Sequence, residues 1–361
     1  MRITIEKNLL LASLTKLVNI TERRSIMPIL SNILISFMKQ NIDVFSTDLE
    51  LSAISRVEYS GDLEKKIVVH GRKFLEILRE MESEAIELDI QDNTMILRQK
   101  QTEFVLSLQD PEEFPEIKEI EAKEEFVIKG KQLIEMIEKV GFAVSVDETR
   151  YILTGMFMKG IAGEIIVVGT DGFRMALYQK KMTDIKGFQG ITIPKRSVSE
   201  IEKVIDDEDE VKISIDEKHV QLSTNKIKIV SRIIEGSFPD YENVLPAENT
   251  NVATVQREGL LKGLKKVASV IGRSEPVRVS FENKSMIIEA ESDIGRARET
   301  IDIEYIGEKV NMNFNVRFLL DVVAHTPGEI LTISAPKTYG AVLFKGEDGE
   351  EYKNIVMPIR I

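Results

Sequence analysis

The stretch Ile165–Tyr178, IIVVGTDGFRMALY, decides the fold of this chain. It opens with an apolar run, Asp171-Gly172 is a strong turn signal, and apolar and polar side chains then alternate. This order predicts a β-hairpin in which Phe173, Met175 and Leu177 share one face of the second strand.

The same pattern occurs upstream, and its spacing indicates a repeat. The stretch Val44–Val57, VFSTDLELSAISRV, carries its Thr-Asp pair 123 residues before Thr170-Asp171, and a weaker echo lies at Ile287–Ile301. The Phe114-Pro115 and Phe238-Pro239 pairs are 124 residues apart. A chain of 361 residues then predicts three similar tandem domains of roughly 120 residues. The expected boundaries are 1–122, 123–248 and 249–361.

Each third of the chain follows one order of elements. A strand leads into an amphipathic helix, the hairpin follows, and a second strand-helix pair and closing strands complete the copy. This order predicts an α+β fold with antiparallel sheets. The six predicted helices span 7–24, 72–82, 130–143, 195–205, 257–273 and 316–326.

The charge is unevenly distributed between these helices and the rest of the chain. The net charge of −12, taken alone, argues against a nucleic-acid-binding protein. The predicted helices, however, hold 18 Lys/Arg and 10 Asp/Glu, a net of +8, whereas the remainder holds 30 and 50, a net of −20. If the helices share one surface, that surface carries a net positive charge, whereas the rest of the protein is net negative. The alternative is that Lys and Arg simply favour helices.

The composition gives an expected compartment. The chain has no Cys, which fits a reducing environment. Its first residues make a poor signal peptide, and no run of 18 apolar residues could span a bilayer. We therefore expect a cytoplasmic protein with no membrane partner.

The sequence offers little catalytic chemistry. Its three His are far apart, and it contains neither a glycine-rich phosphate loop nor a GxSxG elbow. Asp48 and Asp171 could be paired carboxylates, and Asp206–Glu210 a metal-binding run, but turn geometry and a solvated loop explain them better. We expect no catalytic residue, cofactor or metal. The alternative function is that of a small-molecule-binding metabolic α+β protein that uses the Thr-Asp-Gly hairpin as its site.

Several motifs together resemble one family, the bacterial sliding clamps, which are the β subunits of DNA polymerase III. The resemblance covers the whole chain. The residues that carry it are Met27-Pro28-Ile29-Leu30 with Asn32, Ser46-Thr47-Asp48-Leu49-Glu50, Thr170-Asp171-Gly172 with Arg174, Phe238-Pro239-Asp240-Tyr241 with Val244-Leu245-Pro246, and Val356-Met357-Pro358-Ile359-Arg360.

The resemblance implies a function as well as a fold. It implies a head-to-tail homodimeric ring of six domains, with helices lining a hole for double-stranded DNA and sheets outside. Such a ring is a non-catalytic processivity factor, nucleoid-associated during replication. Its implied partners are a clamp loader, DNA polymerases and repair proteins that carry short clamp-binding peptides.

The family binds these peptides in a pocket between the second and third domains. Apolar walls from a hairpin and a C-terminal segment, with Arg174 at the edge, suit a peptide that carries Leu or Phe. A His is common in the family where Phe173 stands and an Arg where Asn243 stands, so we expect a more apolar and less basic pocket. Ordinary core packing is the alternative for Met175 and Met357. By motif, the implied lining is Leu153, Thr170, Gly172, Phe173, Arg174, Met175, Pro239, Asn243, Val244, Val356, Met357, Pro358, Ile359 and Arg360.

Two further sets of residues complete the expected sites. The DNA-facing candidates are Arg24, Arg72, Arg150, Lys195 and Arg196 from the resemblance, and Lys262, Lys265, Lys266 and Arg273 from charge alone. The alternative for the first set is a solvated charge at a helix start. The candidates for the ring contact between the first domain of one chain and the third domain of its partner are Phe104, Leu106, Val270 and Ile271.

Overall fold

The computed structural model of the chain describes residues 2–21, 27–82, 84–117, 119–161, 163–182, 185–246, 250–272, 275–337 and 339–360. The chain forms two compact units. Unit one consists of Met1–Ile134 and Arg196–Ile233, and unit two of Glu135–Lys195 and Ile234–Ile361. Residues of the predicted second copy occur in both units. The three predicted domain boundaries stay a prediction.

All six predicted helices are confirmed, and each ends earlier than expected, the first by seven residues and the fifth by five. After the first helix, the N–H of Ile20 bonds to the carbonyl of Leu17, which tightens the last turn. After the fifth, Val270 and Ile271 make the same kind of bond, and Gly272 follows. β-branched residues are weak helix formers, which favours these early ends. The helices are α1 Lys7–Leu17, α2 Gly71–Glu80, α3 Gly130–Gly141, α4 Lys195–Val204, α5 Arg257–Ala268 and α6 Val316–His325.

The apolar stripes of the opening helices pack inward as expected. In α1, Leu10, Leu14 and Leu17 are completely buried. In α5, Leu260 and Leu264 are also buried, beneath the sheets of unit two. Burial of such side chains stabilises each helix far more than its intrinsic propensity does.

Unit one contains a single antiparallel sheet of twelve strands among the described residues. The strands are β1 Arg2–Glu6, β2 Asn32–Phe37, β3 Asn41–Thr47, β4 Leu51–Glu58, β5 Lys65–His70, β6 Ala85–Ile90, β7 Thr94–Gln99, β8 Thr102–Gln109, β9 Glu124–Lys129, β14 Glu210–Ile215, β15 His219–Ser223 and β16 Ile227–Arg232. Their order is β1-β6-β7-β8-β5-β2-β3-β4-β16-β15-β14-β9.

Unit two contains two antiparallel sheets in its described part. The strands are β10 Gly155–Ile161, β11 Glu164–Thr170, β12 Arg174–Lys181, β13 Phe188–Pro194, β17 Asn251–Gln256, β18 Pro276–Glu282, β19 Ser285–Ser292, β20 Gly295–Asp302, β21 Glu304–Ile306, β22 Val310–Asn315, β23 Ile330–Ala335, β24 Val342–Lys345 and β25 Tyr352–Val356. One sheet has the order β13-β10-β11-β12-β25-β24-β23-β17-β21, and the other β20-β19-β18-β22.

The sheets continue from one copy into the next. In unit one, β4 pairs with β16, with Leu51 opposite Ser231. In unit two, β12 pairs with β25, with Arg174 opposite Val356. The second strand of each hairpin therefore joins the last strand of the following copy, and this pairing sets the surroundings of both hairpin turns. The α+β, antiparallel fold class is confirmed.

Candidate functional site

The predicted hairpin of unit two is confirmed and ends in a tight turn. Oδ1 of Asp171 accepts hydrogen bonds from the backbone N–H groups of Phe173 and Arg174, both at 2.9 Å. Oγ1 of Thr170 accepts one from the N–H of Gly172 at 3.1 Å. Gly172 has a φ of 83°, which glycine adopts without a steric penalty. The turn leaves Phe173 at its tip with a relative exposure of 53%.

Arg174 is buried, whereas we expected it at the edge of a pocket. Only 6% of the residue is exposed. Its Nε donates to Oδ2 of Asp171 at 3.1 Å, its Nη2 to the carbonyl of Phe142 at 2.9 Å, and its Nη1 to Asp321. Its guanidinium also lies 4.7 Å from the ring centroid of Phe318. The first five residues of β12 are all buried, so the start of this strand is covered on both faces. Arg174 therefore positions the turn against α6.

Arg150, a candidate for DNA contact, lies at the tip of the same turn. Its Nη1 donates to the carbonyl of Asp171 at 3.1 Å, and its Cζ lies 5.0 Å from the ring centroid of Phe173. A Cβ atom on Gly172 would come within 2.4 Å of the same Nη1. The cation and the ring attract each other in this geometry. The structure thus makes Arg150 part of the hairpin site, and its contact with DNA stays a prediction.

The C-terminal segment runs alongside this turn. The N–H of Met357 donates to the carbonyl of Phe173 at 2.8 Å, directly after the pairing of β12 with β25. Two residues on, the N–H of Ile359 donates to the carbonyl of Asn313 at 2.7 Å. The segment is therefore fixed at both ends, and Ile359 keeps a relative exposure of 37% beside the hairpin.

Tyr339 belongs to this site and was missed in the sequence. Its hydroxyl donates to the carbonyl of Pro358, and the Arg360 guanidinium lies 4.4 Å from its ring centroid. Tyr339 lies in a loop before β24, and no motif connects it with the C-terminus. Only the folded chain brings these residues together.

An aromatic cluster anchors the segment that carries the second Phe-Pro pair. The rings of Phe238 and Phe157 stack with their centroids 4.6 Å apart. Tyr241 is buried in the same cluster, and burial raises the pKa of its hydroxyl to about 12. The short helical turn that follows leaves Val244 with a relative exposure of 42%. The cluster therefore holds Val244 at the surface of unit two.

The implied pocket residues all lie in unit two but differ in exposure. Met175 belongs to an ordinary core cluster, which supports the alternative interpretation for this residue. Asn243 donates to Oδ2 of Asp240 at 2.7 Å. Gly172, Phe173, Pro239, Asn243, Val244, Ile359 and Arg360 are exposed, Thr170 and Met357 are half-buried, and Leu153, Arg174, Met175, Val356 and Pro358 are buried.

The first hairpin repeats the turn geometry. Oδ1 of Asp48 accepts from the N–H of Glu50 at 3.0 Å and of Leu51 at 2.7 Å, and Oγ1 of Thr47 accepts from the N–H of Leu49 at 3.0 Å. Each hairpin aspartate is thus engaged within its own turn, as expected of turn residues. Neither turn provides the paired carboxylates that a catalytic site would need.

Lys195, at the start of α4, is turned toward its own unit. Its Nζ donates to the carbonyl of Val144 at 2.8 Å. Burial, followed by the neighbouring charges of Arg174 and Arg317, lowers the pKa of this ammonium group. A half-buried, hydrogen-bonded lysine is a weaker phosphate ligand than a free one.

The other arginine candidates differ in placement. Arg196 is exposed at the start of α4, where its Nη1 lies 2.7 Å from Oδ2 of Asp48. Arg72 is half-buried in the first turn of α2. Arg24 and Arg273 lie outside the described residues.

The lysines of α5 point to solvent. Lys262, Lys265 and Lys266 are all exposed. Lys262 pairs with Glu258 at 2.6 Å and Lys266 with Glu299 at 2.7 Å. Exposed ion pairs of this kind contribute little to stability, so these lysines can readily contact another anion instead. With the observed bounds, the six helices hold 15 Lys/Arg and 8 Asp/Glu, a net of +7, so the positive excess remains.

The candidate ring-contact residues lie beside open or partly covered surfaces. Phe104 and Leu106 are half-buried on β8, which pairs with β5 only through Gln109 and Leu108. Among the described strands, the first part of β8 therefore has a neighbour on one side only. Val270 and Ile271 are half-buried against the core of unit two, near the edge strand β20.

The described part of the chain offers neither a metal cluster nor a membrane-spanning helix. No group of three or more His, Cys, Asp or Glu in these residues could hold a metal ion. Over the same residues, no helix combines the length and the apolar character that a membrane crossing requires.

Comparison with known families covers almost the whole chain. The models of the DNA polymerase III beta subunit match in order: the N-terminal domain over residues 1–118, the central domain over 127–240 and the C-terminal domain over 242–360. The same three-domain order was predicted from the repeat.

Individual relatives agree along their full length. The beta sliding clamps of Pseudomonas aeruginosa and Vibrio cholerae are 26% and 28% identical to this chain, and each match covers 100% of both proteins. The crystal structure of the Pseudomonas aeruginosa DNA polymerase III subunit beta superimposes with a TM-score of 0.94 at 26% identity, covering 100% of both chains. The Thermotoga maritima beta subunit gives 0.93 at 27% identity, covering 100% of this chain and 99% of that one.

Proposed function

The chain belongs to the family of the bacterial DNA polymerase III beta subunit, the sliding clamps, and we propose that it acts as a ring that encloses duplex DNA and tethers its partners there. The observation that carries the proposal is the match of all three family domains in order along the chain. A ring of this kind works by topology and needs no catalysis of its own. We place it in the cytoplasm, on the nucleoid during replication.

The ring requires two chains. We infer that the open part of β8 in one chain pairs with the edge strand β20 of a second copy, head to tail. Such pairing would continue the sheet across the contact and cover Phe104 and Leu106, with Val270 and Ile271 on the other side. It would also remove strand edges that otherwise invite aggregation.

The helices then supply the surface that faces DNA. Their net charge of +7 sits in a chain of net −12, so the positive charge is concentrated on these elements. Each phosphate that is firmly neutralised releases about one counterion, and many such contacts would hold the ring in place. Exposed lysines already paired with glutamates, such as Lys262 and Lys266, suit weak and mobile contacts.

The hairpin site of unit two is the proposed docking pocket for partner peptides. Phe173, Val244 and Ile359 offer exposed apolar surface, and Arg150 and Arg360 offer positive charge. A peptide bearing Leu or Phe, and a carboxylate, fits this combination. Polymerases, repair proteins and a clamp loader that carry such a peptide would gain a high effective concentration at DNA.

The test is assembly and retention on DNA. Sedimentation across dilution should show a species of twice the 40.9 kDa chain. A bacterial clamp loader should then place the ring on nicked circular plasmid, where it should persist in high salt, and linearising the plasmid should release it. A monomer at every concentration, or equal retention on linear DNA, would refute the ring.

A pair of variants makes this test specific. Replacing Phe104 and Leu106 together by Ala removes apolar surface from the proposed contact. Each 1.4 kcal/mol lost corresponds to a factor of about ten, so the dissociation constant of the dimer should rise roughly tenfold or more. Val127→Ala, at a half-exposed position on the edge strand β9, should leave the mass distribution unchanged. Equal behaviour of both variants would exclude β8 as the contact.

A further inference from the structure

A second groove lies in unit one, at the first hairpin. It encloses about 450 Å³ between the turn after β3, residues 115–117 and 119–120, and strands β15 and β16. This volume lies within the roughly 300–1,000 Å³ of typical ligand pockets. The elements correspond to those of the unit two site: a Thr-Asp turn, a Phe-Pro segment, and the last strand of the following copy, which pairs with the hairpin.

Leu49 is the unusual residue of this groove. Its φ is 78°, a left-handed conformation that L-residues rarely adopt, and its relative exposure is 51%. The equivalent residue 123 positions later is Gly172, with a φ of 83° and the same turn hydrogen bonds. Glycine would relax the backbone at position 49. The chain instead places an apolar side chain there, half in solvent, at the wall of a groove.

The remainder of the lining combines apolar and acidic side chains. Ile117, Ile120 and Val230 extend the apolar surface of Leu49. The described lining residues include four carboxylates against one lysine and one arginine, a formal charge of −2 without histidine. Arg232 already pairs with Glu50 at 3.1 Å.

Two carboxylates of the lining, Glu116 and Glu119, are accessible to a ligand. Glu119 has a side-chain exposure of 91% and lies 3.9 Å from Nζ of Lys228, a loose surface pair, and Glu116 is also exposed. An occupant that matches this groove therefore carries positive charge beside an apolar group. The unit two site has the opposite character, because Arg150 and Arg360 stand at its rim.

We propose that the groove is a second docking site, which takes an extended peptide segment of a partner protein with an apolar side chain flanked by Lys or Arg. The apolar side chain lies against Leu49, and the basic side chains face Glu116 and Glu119. Every residue involved belongs to unit one, so the inference goes beyond the proposed function and does not depend on ring closure or on the hairpin site of unit two.

The test uses defined peptides with the full-length chain. The probe is a fluorescein-labelled, C-amidated pentapeptide of alternating Lys and apolar residues, Lys-Leu-Lys-Phe-Lys, and the control replaces each Lys by Glu. Anisotropy titration should show saturable binding of the basic peptide at or below about 1 mM, the weak end of specific affinities. Photocrosslinking, with benzoylphenylalanine in place of Phe, should label residues 47–52 or 115–120.

Three variants separate the sites. Leu49→Gly relaxes the turn, so it should fold normally and weaken the basic peptide tenfold or more. Glu116→Gln with Glu119→Gln should weaken binding and flatten its salt dependence. Phe173→Ala, in unit two, should leave the affinity for the basic peptide unchanged.

Other outcomes overturn the inference. Crosslinks confined to unit two, or unchanged binding in Leu49→Gly, would mean that the groove takes no peptide. Equal binding of the acidic peptide would refute the charge matching. Absence of saturable binding up to the concentration limit would refute the site as a whole.

Discussion

Replacing Arg174 by Met removes a buried charge while keeping most of the side-chain volume. Arg174 holds two carboxylates, Asp171 and Asp321, whose side chains are 17% and 31% exposed. Breaking a buried ion pair on one side costs roughly 3–5 kcal/mol, because the remaining charge is left without its partner. Water can reach both carboxylates in part, and Arg317 stays 3.8 Å from Asp321, so we expect the lower end, about 3 kcal/mol.

Hydrogen exchange with mass spectrometry is the suitable assay for this change. A chain with several domains does not unfold in a single two-state transition, whereas exchange reports each segment separately. A loss of about 3 kcal/mol should lower the protection of the turn between β11 and β12, and of α6, by about 100-fold. Strands of unit one should be unaffected. Lys181→Met, at the exposed end of β12, is the matched control and should change protection little.

A second set of variants tests the physical cause. Asp171→Asn keeps an oxygen that can accept the two turn hydrogen bonds, and Asp321→Asn removes the other charge. Combined with Arg174→Met, these changes should restore most of the lost protection, because no unpaired charge then remains. If Arg174→Met alone lowered protection by less than about threefold, the reasoning from burial and pairing would be refuted.

Two further predictions concern the docking site and acid stability. Phe173→Ala should weaken the binding of an acidic, Leu- and Phe-bearing peptide by roughly tenfold or more, since a fully buried aromatic side chain contributes about 1.5–3 kcal/mol. Ile294→Ala, at a residue 85% exposed elsewhere in unit two, should leave this binding unchanged. Equal losses of affinity in both variants would contradict the site. Hydrogen bonds from Lys345 and Lys353 lower the pKa of Glu350 to about 2 from 4.5, so its stabilising effect is complete above pH 4.5 and is lost as the pH falls toward 2. Hydrogen exchange of β24 and β25 should therefore give opening free energies that differ between Glu350→Gln and the parent chain by under about 1 kcal/mol at neutral pH, given a side-chain exposure of 75%. The difference should vanish on acidification, and a difference that widened would contradict the assignment.

Local chemistry made much of the fold predictable. The Thr-Asp turns recur because the same two side chains satisfy the same backbone N–H groups in both hairpins, at Thr47-Asp48 and Thr170-Asp171. Helix positions followed from apolar stripes with a 3.6-residue period. Helix ends were less certain, because the last turns of α1 and α5 depend on weak differences between residues such as Val, Ile and Ser.

The candidate site was only partly predictable. The hairpin, the Phe-Pro segment and the C-terminal motif were recognised from their residues, yet their degrees of burial were not. Arg174 was expected at the surface because strand alternation gives no information on which neighbours a strand acquires. The first five residues of β12 are all buried, and α6 covers Arg174 through Asp321 and Phe318.

The sequence by itself determined the repeat, the element types, the turns and the uneven charge, because all of these depend on neighbours within a few residues or on composition. Tertiary structure alone decided which strands join successive copies, that Arg174 reaches Asp321 across 147 residues, and that Arg150 lies over Phe173. It also decided that Leu49 borders a groove. Such contacts depend on how segments that are far apart in the chain pack together, and a local pattern of residues does not determine this packing.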